Sequence, residues 1–111
     1  MPIAMLFRPP VKLYSRETYD SIQSKMTERG MQFPGKGNLY HACALDDDGA
    51  VTIFDVFESD DAINALVDLH TPIYEELKID LEALGPYVTY LDMHRLVANA
   101  VPVAGESSVT P

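Results

Sequence analysis

Apolar and polar positions change period along the chain, and each change marks a predicted element. The run "PIAMLFR", residues 2 to 8, is apolar and stops at Pro9-Pro10, which predicts a strand of about six residues. The period then lengthens. Tyr19, Ile22 and Met26 recur at steps of three and four, Ser15 is placed as an N-cap, Glu17 lies in the first turn, and Gly30 follows Arg29. This predicts a helix over 16–29 with one apolar stripe. After the loop residues "FPGKGN", 33 to 38, come a strand over 39–45, the turn Asp46-Asp47-Asp48-Gly49 and a strand over 50–57, because an Asp-Gly turn between strand-like runs signals a hairpin. Ser59 caps a second helix whose stripe is Ala62, Leu66, Leu69, Ile73 and Leu77. Pro72 interrupts that stripe and Thr71 can recap it, which predicts a kink or two abutting helices. Gly85-Pro86 ends the helix, and "YVTYLDMHRLV", 87 to 97, reads as the last strand.

The resulting order βαββαβ predicts an α+β, ferredoxin-like domain over 1–97: a four-stranded antiparallel sheet with both helices on one face. Residues 98–111 read as a flexible tail or arm. Two helices cover one sheet face and leave the other bare. An apolar face of that size is uncommon on a monomer, so a homodimer through the open sheet face is expected.

The hairpin decides which side chains look into that face. If the four-residue turn pairs Leu45 with Ala50, His41 lies opposite Phe54 and Cys43 opposite Thr52. Ala42, Ala44, Val51 and Ile53 then form the floor under the helices. On the last strand Tyr90, Asp92 and His94 share one face and Leu91 and Met93 the other. This reading gathers His41, Cys43, Thr52, Phe54, Tyr90, Asp92 and His94 between two stacked sheets. A slip of one residue sends the set to the helix side.

Composition narrows the partners. Hydrophobic residues make up 47% and charged residues 23%, an ordinary globular balance. The formal charge of −9, with basic residues scattered, disfavours nucleic acid and anionic membrane surfaces. No apolar run is long enough to span a membrane, and "MPIAMLFRPP" lacks the pattern of a signal peptide. A single cysteine, Cys43, fits a cytoplasmic location.

Histidines titrating near neutrality can move protons, and a tyrosine can hydrogen-bond a developing oxyanion. That makes His41, His94 and Tyr90 the catalytic candidates, with Phe54, Cys43, Thr52 and Asp92 as ligand-binding wall. The alternative is that these histidines only satisfy one another in an interface. His41, Cys43, Asp92 and His94 are suitable ligand types but lack close metal spacing, so no metal is expected. The triple aspartate turn lacks the spaced acids of a calcium loop, and "GKGN" precedes a strand where a phosphate loop needs a helix. His70 reads as a helix-end residue, and Arg8 and Arg95 as salt-bridge partners.

The βαββαβ order, the Asp-Gly hairpin, the "FES" that closes a strand before an acidic, capped helix, and "MHRLV" near the end resemble the dimeric α/β-barrel superfamily. Over about residues 2 to 97 the chain is similar to its antibiotic biosynthesis monooxygenase-like branch. The resemblance implies two ferredoxin-like sheets joined into a barrel, no organic cofactor, and a pocket for an apolar or aromatic molecule. It also implies monooxygenase or polyketide cyclase chemistry, in which His41, His94 and Tyr90 could play the parts of the histidines and tyrosines that project into the cyclase barrel, without a position-by-position match. This chain has no tryptophan, a functional residue of the monooxygenase and haem-degrading branches. His70 also falls about two turns short of the haem branch's histidine, so haem degradation is not expected. A non-catalytic ligand-binding or structural dimer is the competing expectation.

Overall fold

The computed structural model describes residues 2–97, so the expected tail or arm at 98–111 lies outside the described residues. The chain folds as β1 (Ile3–Phe7), α1 (Arg16–Glu28), β2 (Asn38–Leu45), β3 (Val51–Phe57), α2 (Asp60–Glu76), the short α3 (Leu81–Leu84), a 3-10 turn (Gly85–Tyr87) and β4 (Val88–Asp92). The strands form one antiparallel sheet in the order β2-β3-β1-β4, the ferredoxin-like α+β arrangement. No helix is long and apolar enough to cross a membrane among the described residues.

Local chemistry accounts for the element ends. Ser15 caps α1 in a capping box with Thr18, each side chain answering the other's backbone amide. Gly30, at φ 69°, supplies the left-handed residue after the helix. Ser59 accepts from the Ala62 amide at the start of α2. That helix runs unbroken through Pro72, against the expected kink or pair of helices at that point. Thr71 donates its hydroxyl to the Val67 carbonyl beside the proline. The break comes later, at Lys78 (φ 59°), and Asp80 recaps the chain as α3 through the amides of Glu82 and Ala83.

The hairpin departs from the expected register. Asp46 pairs with Ala50 through its amide, and its carbonyl accepts from Gly49 N, leaving residues 47–49 as the loop with Gly49 at φ 83°. The Asp46 carboxylate holds the amides of Asp48 and Ala50 at 2.9 Å each. Leu45 therefore pairs with Val51 rather than Ala50, and His41 lies opposite Asp55 rather than Phe54. One residue of loop length has moved His41 and Cys43 to the helix side of the sheet, together with Val51, Ile53 and Asp55.

On that side Phe7, Val51 and Ile53 pack with Tyr14, Ile22, Met26, Ile73 and Leu84 as the core. Burying each aliphatic side chain contributes about 1.5–3 kcal/mol. The opposite face carries Ala42, Ala44, Thr52, Phe54 and Leu91, by the pairings of β2, β3, β1 and β4. Leu91 is 55% exposed there. β4 ends at Asp92, five residues short of the expected strand end at 97.

Gly37 ties the long loop before β2 to the start of α2. It sits at φ 84°, its carbonyl accepts from the Glu58 amide, and an added Cβ would come within 2.7 Å of Ala62 Cβ. Gly37→Ala is expected to cost about 1–3 kcal/mol in urea unfolding, from backbone strain and this overlap together. Gly30→Ala, with open space around its Cβ, should cost less. Equal losses at the two positions would show that the overlap with Ala62 is relieved.

Candidate functional site

The register brings His41 onto the helix-covered face directly across from Asp55, and this pair begins the site. Asp55 is 4% exposed and is the one charged side chain buried among the described residues. A carboxylate in that position needs donors. His41 Nδ1 lies 2.7 Å from Asp55 Oδ1, and Asn38 Nδ2 approaches the same oxygen at 3.5 Å. Because the carboxylate accepts, Nδ1 carries a proton, and the tautomer with its single proton there leaves a lone pair at Nε2. The Tyr19 hydroxyl, 2.7 Å from Nε2, donates to it. Tyr19, His41 and Asp55 thus form a closed hydrogen-bonded chain from α1 across β2 to β3.

Packing holds the imidazole in this orientation. Its ring lies nearly parallel to Tyr19 at 6.0 Å between centroids, and the Phe33 ring meets it edge-on at 4.6 Å. Burial, reinforced by the neighbouring Cys43 and Asp55, pushes the Tyr19 phenol well above its usual value, so it remains a protonated donor.

The chain lies in the wall of a cavity of about 190 Å3 between the sheet and the helices. The sheet supplies Met5, Phe7, Ile53 and Val88, α1 supplies Ile22 and Gln23, and α2 supplies Leu66, Val67, His70, Thr71 and Tyr74. Leu81, Leu84 and Gly85 close one side. The lining is predominantly apolar, and no lysine or arginine contributes to it. His70 stacks on Tyr74 at 5.8 Å, and its Nε2 is buried with no hydrogen-bond partner among the described residues. Burial lowers its pKa from the usual value, with a nearby His41 acting in the same direction and Asp55 against it, so the neutral imidazole is favoured.

The expected site residues separate. His41 lines the cavity, on the helix side instead of between stacked sheets. Cys43 shares its face and packs at the core margin, where burial, then the charges of Asp20 and Asp55, raise the thiol pKa. Thr52 and Phe54 lie on the opposite face, because the three-residue loop reversed their relation to His41; Phe54 packs against Tyr40 at 6.1 Å. Tyr90 and Asp92 pair with Met5 and Ile3 and so share the His41 face, but β4 is an edge strand and both are exposed, Tyr90 at 51%. His94 lies beyond the end of β4 and is exposed. None of Cys43, Thr52, Phe54, Tyr90, Asp92 or His94 lines the cavity. His70, read as a helix-end residue, sits inside α2 and faces the cavity. Among the described residues no group of three or more His, Cys, Asp or Glu side chains is placed to hold a metal.

Tyr19, Asp55, Phe33 and His70 were not assigned to the site from sequence. The signal for Asp55 was its position: an acid inside "VTIFDVF", two residues from Ile53 and two from Phe57, shares their buried face.

No protein-family model and no curated protein matches the chain. A solved structure, that of Rv0793 from Mycobacterium tuberculosis, matches with a TM-score of 0.52 at 18% sequence identity. The match covers 88% of this chain and 100% of that one. The likeness concerns the fold.

The buried pair makes an asymmetric stability prediction. His41→Leu leaves the Asp55 carboxylate without its main donor and is expected to cost about 3–5 kcal/mol in urea unfolding at pH 7. Asp55→Asn replaces the carboxylate with an uncharged amide and should cost about 1–3 kcal/mol. A larger loss for Asp55→Asn would mean that the burden of the pair does not rest on the carboxylate.

Proposed function

We propose that the cavity receives a small apolar or aromatic molecule and that Tyr19, His41 and Asp55 take a proton from it. This makes the protein a cofactor-independent enzyme of the monooxygenase or cyclase type. The observation that carries this reading is the hydrogen-bonded chain, 2.7 Å at each link, ending at a phenol in the wall of an apolar cavity. An acidic O–H or C–H of the ligand gives its proton to the Tyr19 oxygen as the tyrosine's own proton passes to His41 Nε2. The imidazolium so formed is held by Asp55. His41 keeps the catalytic role inferred from sequence, and Tyr19 takes the one assigned there to Tyr90. A cavity of about 150 Å3 accepts benzene. The observed volume of about 190 Å3 therefore favours a single ring over a fused polyketide.

A second reading, a non-catalytic ligand-binding protein, is favoured by a specific observation. Both nitrogens of His41 are already bonded within the chain, so no lone pair of the imidazole is free for a ligand. Incubation in air with a panel of one-ring phenols and enols, followed by mass spectrometry, separates the two readings. The first expects product from at least one compound and a fall of about 10²–10⁴ in rate for His41→Gln. Product formation that survives His41→Gln, or binding without product across the panel, favours the second.

The open sheet face supports a homodimer. Phe54 and Leu91 present apolar surface on the side the helices leave uncovered. Light scattering on the eluting protein is expected to give the mass of two chains, and Phe54→Glu to give one. A wild-type monomer at tens of micromolar would remove the dimer from the proposal.

A further inference from the structure

Two buried polar side-chain atoms have no hydrogen-bond partner among the described residues, Asn38 Oδ1 and His70 Nε2, and of these two residues His70 lines the cavity. Tyr19, His41 and Asp55 satisfy one another. Thr71 donates to the Val67 carbonyl. His70 Nε2 has no partner among the described residues, although it is buried and its side chain lines the cavity. A buried nitrogen without a partner costs free energy, and a ligand that meets it recovers that cost on binding.

We propose that His70 Nε2 is the hydrogen-bonding anchor of the cavity, and that the ligand is a neutral, one-ring molecule whose hydroxyl meets this nitrogen. The inference rests on the reading of the cavity as a ligand site and adds the group that selects the ligand. Three observations define the class. The volume of about 190 Å3 limits the ligand to roughly one substituted ring. The absence of lysine or arginine from the lining, with the Asp55 carboxylate in the wall, leaves an anionic ligand without a counter-charge. Burial keeps His70 neutral, so it offers a lone pair or one N–H rather than a charge. A hydrocarbon of the same shape leaves Nε2 unanswered. The ring stack on Tyr74 fixes the imidazole plane and gives the anchor a direction.

The test is a ligand-observed NMR titration with p-cresol, toluene and p-toluate, which share a methylated ring and differ in the para group. Wild-type protein is expected to bind p-cresol about tenfold more tightly than toluene, the scale of one hydrogen bond in a dry site, and not to bind p-toluate. His70→Phe keeps a ring against Tyr74 and removes the nitrogen. His70→Leu removes both and serves as an independent variant. Each should erase the preference by weakening p-cresol while leaving toluene binding in place, and His70→Gln should restore part of it. Amide spectra confirm that each variant is folded. A preference that persists in both apolar variants overturns the proposal, as does tighter binding of toluene or p-toluate by the wild type. Loss of the preference in Tyr19→Phe alone would place the hydroxyl at the proton chain, overturning the role of His70 while the cavity remains a ligand site. Failure of the wild type to bind either p-cresol or toluene overturns both.

Discussion

The hydrogen bond between His41 and Asp55 is the constraint on which the rest of the architecture depends. Asp55 occupies a core position of β3, between Ile53 and Phe57, where an unpaired carboxylate costs several kcal/mol. β2, the strand opposite, supplies its donors, His41 and Asn38. In the register adopted, His41 stands directly across from it. In the register that pairs Leu45 with Ala50, Asp55 would stand across from Tyr40 and His41 would turn to the other face. The loop acts in the same direction from the far end of the hairpin. Asp46 binds two amides within the turn and so sets the loop at three residues. Two acids, one exposed at the turn and one buried in the strand, therefore select the same pairing. Agreement between local and long-range terms is what makes a register unique.

That pairing also explains which parts of the molecule were legible in its sequence. The strands, both long helices and their caps followed from apolar period, Ser15, Ser59 and the Gly30 stop, because each is a local signal acting within a few residues. The face assignment depended on whether the loop held three residues or four, and composition alone does not decide that. Asp46-Asp47-Asp48-Gly49 supports either length until the hydrogen bonds of Asp46 are counted. The error was confined to parity, yet parity decides the site: His41 was identified, and its surroundings were reversed. Asp55 carried the correcting information, since an acid alternating with Ile53 and Phe57 demands a partner on the same face.

The stripe of α2 was misread for a related reason. Leu69 is more hydrophobic than His70 and continues the apolar period, but Leu69 is exposed at 52%, and the inward line runs through buried Ile63 and Ile73 and half-buried Leu66 and His70. Hydrophobicity ranks residues by transfer energy and takes no account of a cavity that wants a polar group in its wall. Local expectation fails where an atypical residue, His70, stands on a core-facing line, and Pro72 sits nearby within an otherwise regular helix.

The same burial that raises the phenol of Tyr19 and lowers the imidazole of His70 determines what the cavity can do. In an apolar space between sheet and helices both groups rest uncharged, one as a donor to His41 and the other with an unmet nitrogen. On the proposed reading, a proton leaving a bound molecule would pass through Tyr19 to His41, and Asp55 would hold the positive charge formed there. On the same reading the negative charge would stay on the ligand, and an N–H of His70 on the facing helix would be the group to hydrogen-bond it. The proton path lies across α1 and the sheet and the unmet nitrogen on α2. A ligand contacting both would therefore join the two layers of the fold, and the ordinary packing of helices on a sheet would position it.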